Sequence, residues 1–382
     1  MKRDTFSPDH ELFRDQFKRF VREQIEPHLE DWNARGQSDR AAWQQMGEAG
    51  YLGASSPAEY GGGAGDFLHE QIIIEELSYA RAHALQTSLH TDICMPYLQH
   101  YANEQQKRGY LVPAIRGELL LAIAMTEPGA GSDLAGIQTR AHRDGDDYVI
   151  DGAKTFISNG QNCDLVIVVA KTDPDAQPAH RGISLLLVPT SAAGFVRGKK
   201  LAKLGLRGQD TSEMFFESCR VPATALLGQA GMGFKYLMTQ LQQERLTIAI
   251  GSIASCRRAL DDTVEYVKQR RAFGKPIAAF QNTQFKLAEL ATQVEIGQCF
   301  VDQLCVRHTR GEELAMEASM AKCFTTDLQK RLTSECLQLF GGYGFMLEYP
   351  IAMDYADAAV QTIYAGTNEI MKLIIARRMG LE

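Results

Sequence analysis

The chain is 382 residues long, 45% hydrophobic and 23% charged, with a net charge of −7 and an isoelectric point near 5.8. Those proportions are ordinary for a globular protein, and the length exceeds what one hydrophobic core supports, so two or three structural units are expected. The acidic balance excludes a nucleic-acid binder with its clustered basic face, and no apolar run reaches the roughly twenty residues that cross a bilayer.

The opening MKRDTFSPDHELFRDQF has basic residues with no apolar stretch behind them, and it is too acidic for an organelle leader. It predicts a chain that begins at Met1 and works in the cytoplasm. Ser7 before Pro8 is a cap and first-turn pair, and Leu12, Phe13, Phe17, Phe20 and Val21 follow at helical spacing. Ser38 can cap a second helix ending at Gly50, and a third covers 67–79. The glycine-rich stretch 61–65 has no β-branched strand before it, so it lacks the setting of a dinucleotide loop and reads as a flexible connection.

From 119 the pattern changes to short strand-like runs at 148–150, 154–157, 165–170 and 183–188. Asp151-Gly152, Asn159-Gly160 and a Pro/Asp-rich stretch at 172–178 punctuate them as turns. Strands so closely joined predict an antiparallel barrel or sandwich rather than alternating βα units. After 229 helical patterning returns, with long proline-free runs at 233–270, 281–309 and 314–339 that suit a bundle. The expected fold is therefore α+β and multidomain: an N-terminal helical domain over 1–118, a middle antiparallel β-barrel domain over 119–228, and a C-terminal four-helix bundle over 229–382.

The eight cysteines, Cys94, Cys163, Cys219, Cys256, Cys299, Cys305, Cys323 and Cys336, form no C-x-x-C pair, and no histidine cluster completes a zinc pattern. Buried or half-buried reduced thiols are expected, and no metal. Met125-Thr126-Glu127-Pro128-Gly129-Ala130-Gly131-Ser132-Asp133 is a loop opening the β module, with glycines for close backbone approach and hydroxyls at Thr126 and Ser132. Alone, such a loop is more often just a tight connection. In Gln242-Gln243-Glu244-Arg245-Leu246, Glu244 shares an apolar stripe with Leu237, Leu241 and Ile248 at i, i+4, i+7 and i+11. Leu246, Ile250 and Ile253 make the opposite side apolar too, and a carboxylate so placed is costly unless paired or functional.

The 125–133 loop resembles the signature of the acyl-CoA dehydrogenase family, and further marks follow in order: Phe156-Ile157-Ser158-Asn159-Gly160, Leu204-Gly205-Leu206-Arg207-Gly208-Gln209-Asp210-Thr211, Arg270-Arg271-Ala272-Phe273-Gly274-Lys275, Gln338-Leu339-Phe340-Gly341-Gly342 and Ile363-Tyr364-Ala365-Gly366-Thr367-Asn368-Glu369-Ile370. The resemblance spans essentially the whole chain. It implies FAD held by Ile123, Met125, Thr126, Gly131 and Ser132, with Phe156, Ile157 and Ser158 along the flavin ring. It further implies that Arg270, Phe273, Ile277, Gln281, Gln338, Gly341 and Gly342 serve the FAD of a neighbouring subunit in a homotetramer. Thr367 and Glu369 complete the implied cofactor set, while Ser132, Arg245, Tyr364, Ala365 and Gly366 would meet an acyl-CoA substrate. An electron-transferring flavoprotein is the implied partner.

One position departs from the best-known short- and medium-chain members, which carry their catalytic glutamate where this chain has Ala365. Long-chain and isovaleryl members carry the base in a Glu-Arg-Leu setting on the helix that contains Glu244, so the resemblance assigns the base to Glu244. Two alternatives stay open from sequence: an acyl-CoA oxidase-like flavoenzyme, and a catalytically silent protein that binds CoA thioesters.

Overall fold

The computed structural model describes residues 3–85 and 87–381; Met1, the predicted start, lies outside the described residues. Ser7 caps the helix Pro8–Phe20 through its hydroxyl, with His10 answering from the first turn. Phe17 and Val21 are buried as the spacing predicts, but Leu12 is 59% exposed; Arg14 occupies the buried face instead. Arg14 reaches in because Glu75 and Glu76 of the helix Phe67–Tyr79 meet its guanidinium at 2.9 and 2.5 Å.

Two expectations for the N-terminal region are corrected. The second helix is Arg40–Glu48 with Asp39 at its N-cap, and Ser38 instead accepts a bond from the Trp43 indole. The 61–65 stretch is tightly bound rather than flexible. The N–H groups of Gly62, Gly63, Ala64 and Gly65 donate to the carbonyls of Pro57, Gly53, Ser56 and Ala54. A Cβ on Gly62 would stand 2.3 Å from the Ser56 carbonyl oxygen, so its glycine is needed for close approach.

The middle region holds eight strands: β1 Leu121–Ala124, β2 Arg140–Asp144, β3 Asp147–Ser158, β4 Leu165–Lys171, β5 Ile183–Pro189, β6 Phe195–Lys200, β7 Thr211–Pro222 and β8 Leu226–Leu227. They hydrogen-bond in the order β6-β7-β3-β2-β4-β5-β8, with β1 added beside β4. Pairing is antiparallel except for β1–β4 and the single β2–β4 pair Arg140 with Lys171, which run parallel. Asp151-Gly152 is not a turn: β3 runs through it with a bulge against β7. Leu165, Ile167 and Val169 of β4 enter the core shared with the N-terminal helices, while Val166, Val168 and Ala170 fill the sheet's other core. A strand buried on both faces explains the unbroken apolar run.

Three long helices, Gly233–Gln269, Gln281–Thr309 and Ala315–Phe340, pack with Pro350–Gln361 around a second core that includes Leu246, Ile250, Ile253, Val294 and Val301. The chain closes with the helix Asn368–Arg378. Seven cysteines are buried and Cys299 is exposed, and all are free thiols. Among the described residues, no helix is long and apolar enough to cross a membrane.

Candidate active site

The first turns of the helix Gly233–Gln269 lie over the end of the sheet, beside the helical stretch Leu89–Cys94 and the loop that precedes Asn368–Arg378. Between them is a cavity of about 430 Å³. Ile123, Met125, Thr126, Gly131, Ser132, Phe156, Ile157 and Ser158 line it from the β region, Glu244 and Arg245 from the long helix, and Tyr364, Ala365 and Gly366 from the loop. The expected ring-side and substrate-side residues thus converge from four separate stretches of chain. Phe234, Met238, Leu241 and Ile248 form the apolar remainder of the helix face.

Glu244 is 4% exposed, and among the described residues its one side-chain bond is from the Tyr97 hydroxyl, 2.8 Å away. Burial pushes its carboxyl up to about 7, against the opposing pull of Tyr97 and of the Arg245 charge. A buried carboxyl raised toward neutrality has the character that a general base requires. Arg245 is buried as well; its strongest visible contact is a 3.4 Å bond to Ser319, and its Nε has no partner among the described residues. Burial lowers this cation's hold on its proton, opposed by the charge of Glu244.

The loop and strand that form the cavity's β-side wall are joined by a buried clamp. Lys154 donates 3.0 Å to the Met125 carbonyl and 2.8 Å to Glu127, whose carboxylate also accepts from the backbone of Gln138 and Thr139. Burial lowers the Lys154 ammonium to about 8, while Lys154 and those N–H groups hold Glu127 below its usual range. The next peptide adds Thr155 N–H to Thr126 O at 3.0 Å. Immediately beyond, Phe156 has a left-handed φ of 59° and a ring 67% exposed. Behind the Leu89 stretch, outside the cavity lining, His90 is buried and held down to about 4, with Nε2 bonding Ala114 O and Nδ1 accepting from Leu121 N–H at the head of β1.

These residues fit FAD. Thr126, Ser132 and Ser158 present hydroxyls with no protein partner among the described residues, and a strained, exposed aromatic residue suits contact with a planar ring.

The second predicted set lies elsewhere. Arg270, Ile277, Gln338, Gly341 and Gly342 line a separate open groove with Tyr266, Phe340 and Tyr343. The Arg270 guanidinium rests 5.5 Å from the centre of the Tyr343 ring and forms no ion pair among the described residues. Phe273 is 95% exposed at the tip of the ribbon Arg271–Ala272 and Lys275–Pro276, and Gln281 is exposed at the start of its helix. Thr367 and Glu369 do not line the cavity: Thr367 caps the last helix and Glu369 is exposed in its first turn. Tyr97, Lys154, Glu127 and the apolar wall residues Leu89 and Ile93 carry no role in the motif reading. The first three could be found only through long-range pairing.

The chain matches three family models end to end: "Acyl-CoA dehydrogenase, N-terminal domain" over 7–118, "middle domain" over 122–219 and "C-terminal domain" over 231–380. It is 46% identical to the mouse mitochondrial long-chain specific acyl-CoA dehydrogenase over 99% of this chain and 88% of that one. It is 34% identical to the mitochondrial isovaleryl-CoA dehydrogenase of Pongo abelii over 98% and 90%. The crystal structure of an acyl-CoA dehydrogenase from Geobacillus kaustophilus superposes with a TM-score of 0.98 at 48% identity, covering 99% of this chain and all of that one. With every domain of the fold matched and the relatives covered nearly whole, this chain belongs to the acyl-CoA dehydrogenase family of FAD-dependent oxidoreductases.

Proposed function

We propose that the chain oxidises a long-chain acyl-CoA to its trans-2-enoyl-CoA, with Glu244 as the base. The observation that carries this reading is that Glu244 and the Ala365 backbone open into the same cavity as Phe156, Ile157 and Ser158. Bound FAD supplies the acceptor for the β-hydride. Glu244 takes the α-proton at its carboxylate, and Tyr97 fixes the orientation of that carboxylate. The N–H of Ala365 meets the thioester oxygen as enolate charge grows there, which is where a preorganised donor contributes most. Phe234, Met238, Leu241 and Ile248 keep water from the reacting carbons. The reduced enzyme then passes its electrons to an electron-transferring flavoprotein.

Long-chain preference is supported by a second chamber. A smaller hollow of about 70 Å³ adjoins the cavity, and Ser88, Ile248 and Tyr364 belong to both walls. Ile74, Leu77, Leu85 and Gly251 lie beyond that partition. A Cβ on Gly251 would meet Ser78 Oγ at 3.2 Å and Ile74 Cγ2 at 3.7 Å, so a larger side chain there fills the hollow. A dye-reduction survey with palmitoyl-, octanoyl- and isovaleryl-CoA tests the reading. The palmitoyl thioester should react best, and Gly251→Leu should lower kcat/KM for it by about tenfold, the worth of roughly two displaced methylenes, while sparing octanoyl-CoA. Faster turnover of isovaleryl-CoA in the parent would favour a 3-methyl-branched substrate, for which small Ala365 leaves room.

The separate groove supports a homotetramer in which Arg270, Gln338, Gly341 and Gly342 complete a neighbour's FAD site. Its permanently charged, forked guanidinium suits a diphosphate. Arg270→Ala should weaken FAD retention about ten- to a hundredfold, the range for one lost charge-assisted bond, without changing the helical signal. A monomer by light scattering that still holds FAD tightly would contradict the shared site.

A further inference from the structure

Lys322 sits in the middle of the helix Ala315–Phe340 with its side chain fully buried. Its ammonium donates 2.8 Å to the carbonyl of Gly366 and 2.9 Å to Asn368 Oδ1. Asn368 is held in turn on its other side, donating to Asp327 at 2.8 Å and to Thr326 at 3.0 Å. Burial lowers the ammonium to about 8, with Cys323, Asp327 and Glu369 acting to raise it and Arg245 to lower it. It therefore remains mainly cationic at neutral pH. An apolar side chain would fill this space without the desolvation penalty that a buried cation carries.

What the ammonium grips is the loop at the cavity's edge. Ala365 and Gly366 both have left-handed backbones, φ 52° and 88°, and the first is strained for a residue with a Cβ. Both line the cavity, and the N–H of neither donates to a protein acceptor among the described residues. Thr367 then caps the last helix, so the loop also lies at that helix's positive end. Without Lys322, nothing else described here holds the Gly366 carbonyl.

We propose that Lys322 is the positioning residue of the thioester-oxygen site, clamping Gly366 and Asn368 so that the strained pair Ala365 and Gly366 keeps its free N–H groups in place for the substrate carbonyl. The inference rests on the reading of this cavity as an acyl-thioester site. Lys322 touches neither substrate nor cofactor, and acts through the loop alone.

The test uses the FAD-loaded enzyme and 3-thiaoctanoyl-CoA, whose α-proton can be removed but whose β position bears sulfur and no hydrogen. Ionisation of the bound thioester is followed by the long-wavelength absorbance it gives against the flavin, as a function of pH. In Lys322→Met the apparent pKa of the bound analogue should rise by at least about one unit, a tenfold loss of enolate stabilisation. With octanoyl-CoA, kcat should fall about ten- to a hundredfold while KM stays within about threefold, the pattern of an interaction made in the transition state. Lys322→Gln, a neutral donor, should recover part of both. Asn368→Ser, which leaves the ammonium but removes its second acceptor, should move the analogue's pKa in the same direction, and carries the test if Lys322→Met does not fold. A folded, FAD-replete Lys322→Met that ionises the analogue like the parent overturns the proposal. A parent enzyme that gives no such absorbance with the analogue overturns instead the thioester reading beneath it.

Discussion

Glu244→Gln is expected to slow flavin reduction by acyl-CoA at least about a hundredfold, the low end for loss of a general base, while FAD content and acyl-CoA binding stay close to the parent. Glutamine keeps the size of the side chain and can still accept the Tyr97 hydroxyl, so the fold has little reason to change. Stopped-flow bleaching of the flavin band measures the step directly. The pH dependence is the sharper signature. With its carboxyl pushed up to about 7, the parent's reduction rate should climb as pH rises through 7, because only the ionised form takes a proton. The variant's residual rate should be flat across that range. Stability should run the other way. A carboxyl whose folded pKa is raised binds its proton more tightly in the folded state, so its contribution is complete below about 4.5 and is lost as pH rises through about 7. The glutamine variant should lack that decline. A variant that bleaches as fast as the parent would mean that Glu244 is a structural carboxylate.

Lys154→Met is expected to produce the largest loss of stability, about 3 kcal/mol, at the lower end of the 3–5 kcal/mol for removing one partner from a buried ion pair. The lower end applies because Glu127 keeps the N–H groups of Gln138 and Thr139, at 2.5 and 3.0 Å. Methionine matches the length of the lysine stem, so little cavity is left and the effect is electrostatic. The Met125 carbonyl loses its donor as well, which frees the loop bearing Thr126 and Ser132 from the strand bearing Phe156. Flavin release should therefore accelerate by at least about tenfold, read from fluorescence of free flavin on dilution. Denaturant unfolding of the apoprotein separates the two effects. Adding Glu127→Gln should restore part of the stability, since the lone charge is then gone; a double variant weaker than Lys154→Met alone would contradict the clamp.

The helices and the buried carboxylate were legible because their signals are local; its role as a base came from the resemblance alone. A carboxylate at i+7 on an apolar stripe is anomalous within four turns of sequence, and Glu244 is indeed buried at the cavity. Its partner Tyr97 was not legible, because it stands 147 residues away. Lys154 was hidden for a related reason: a lysine in a strand reads as solvent-facing until Glu127, 27 residues earlier, is seen to turn inward with it. Asp151-Gly152 has the wording of a hairpin turn, yet β3 bulges through it, and glycine is needed there because a Cβ would lie 2.4 Å from Thr139 Oγ1. The glycines at 61–65 misled in the opposite sense, since glycine marks close packing as readily as freedom. Leu12 was placed inside by spacing alone, and the paired acids Glu75 and Glu76 drew Arg14 to that face.

At position 365 the work is assigned to the main chain. The N–H and the grip on the following carbonyl belong to the backbone and not to the side chain at 365, although its left-handed φ carries a strain that any Cβ feels. Glu244, on an unrelated helix, opens into the same cavity. In the proposed reading the reacting carbon is thus approached by two seats for an acid, while the charge-stabilising scaffold belongs to neither. In such an architecture a catalytic group can change seats over evolutionary time in two substitutions, with no rebuilding of the backbone that supports the reaction, and the vacated seat becomes free volume in which new substrate shapes can be accommodated.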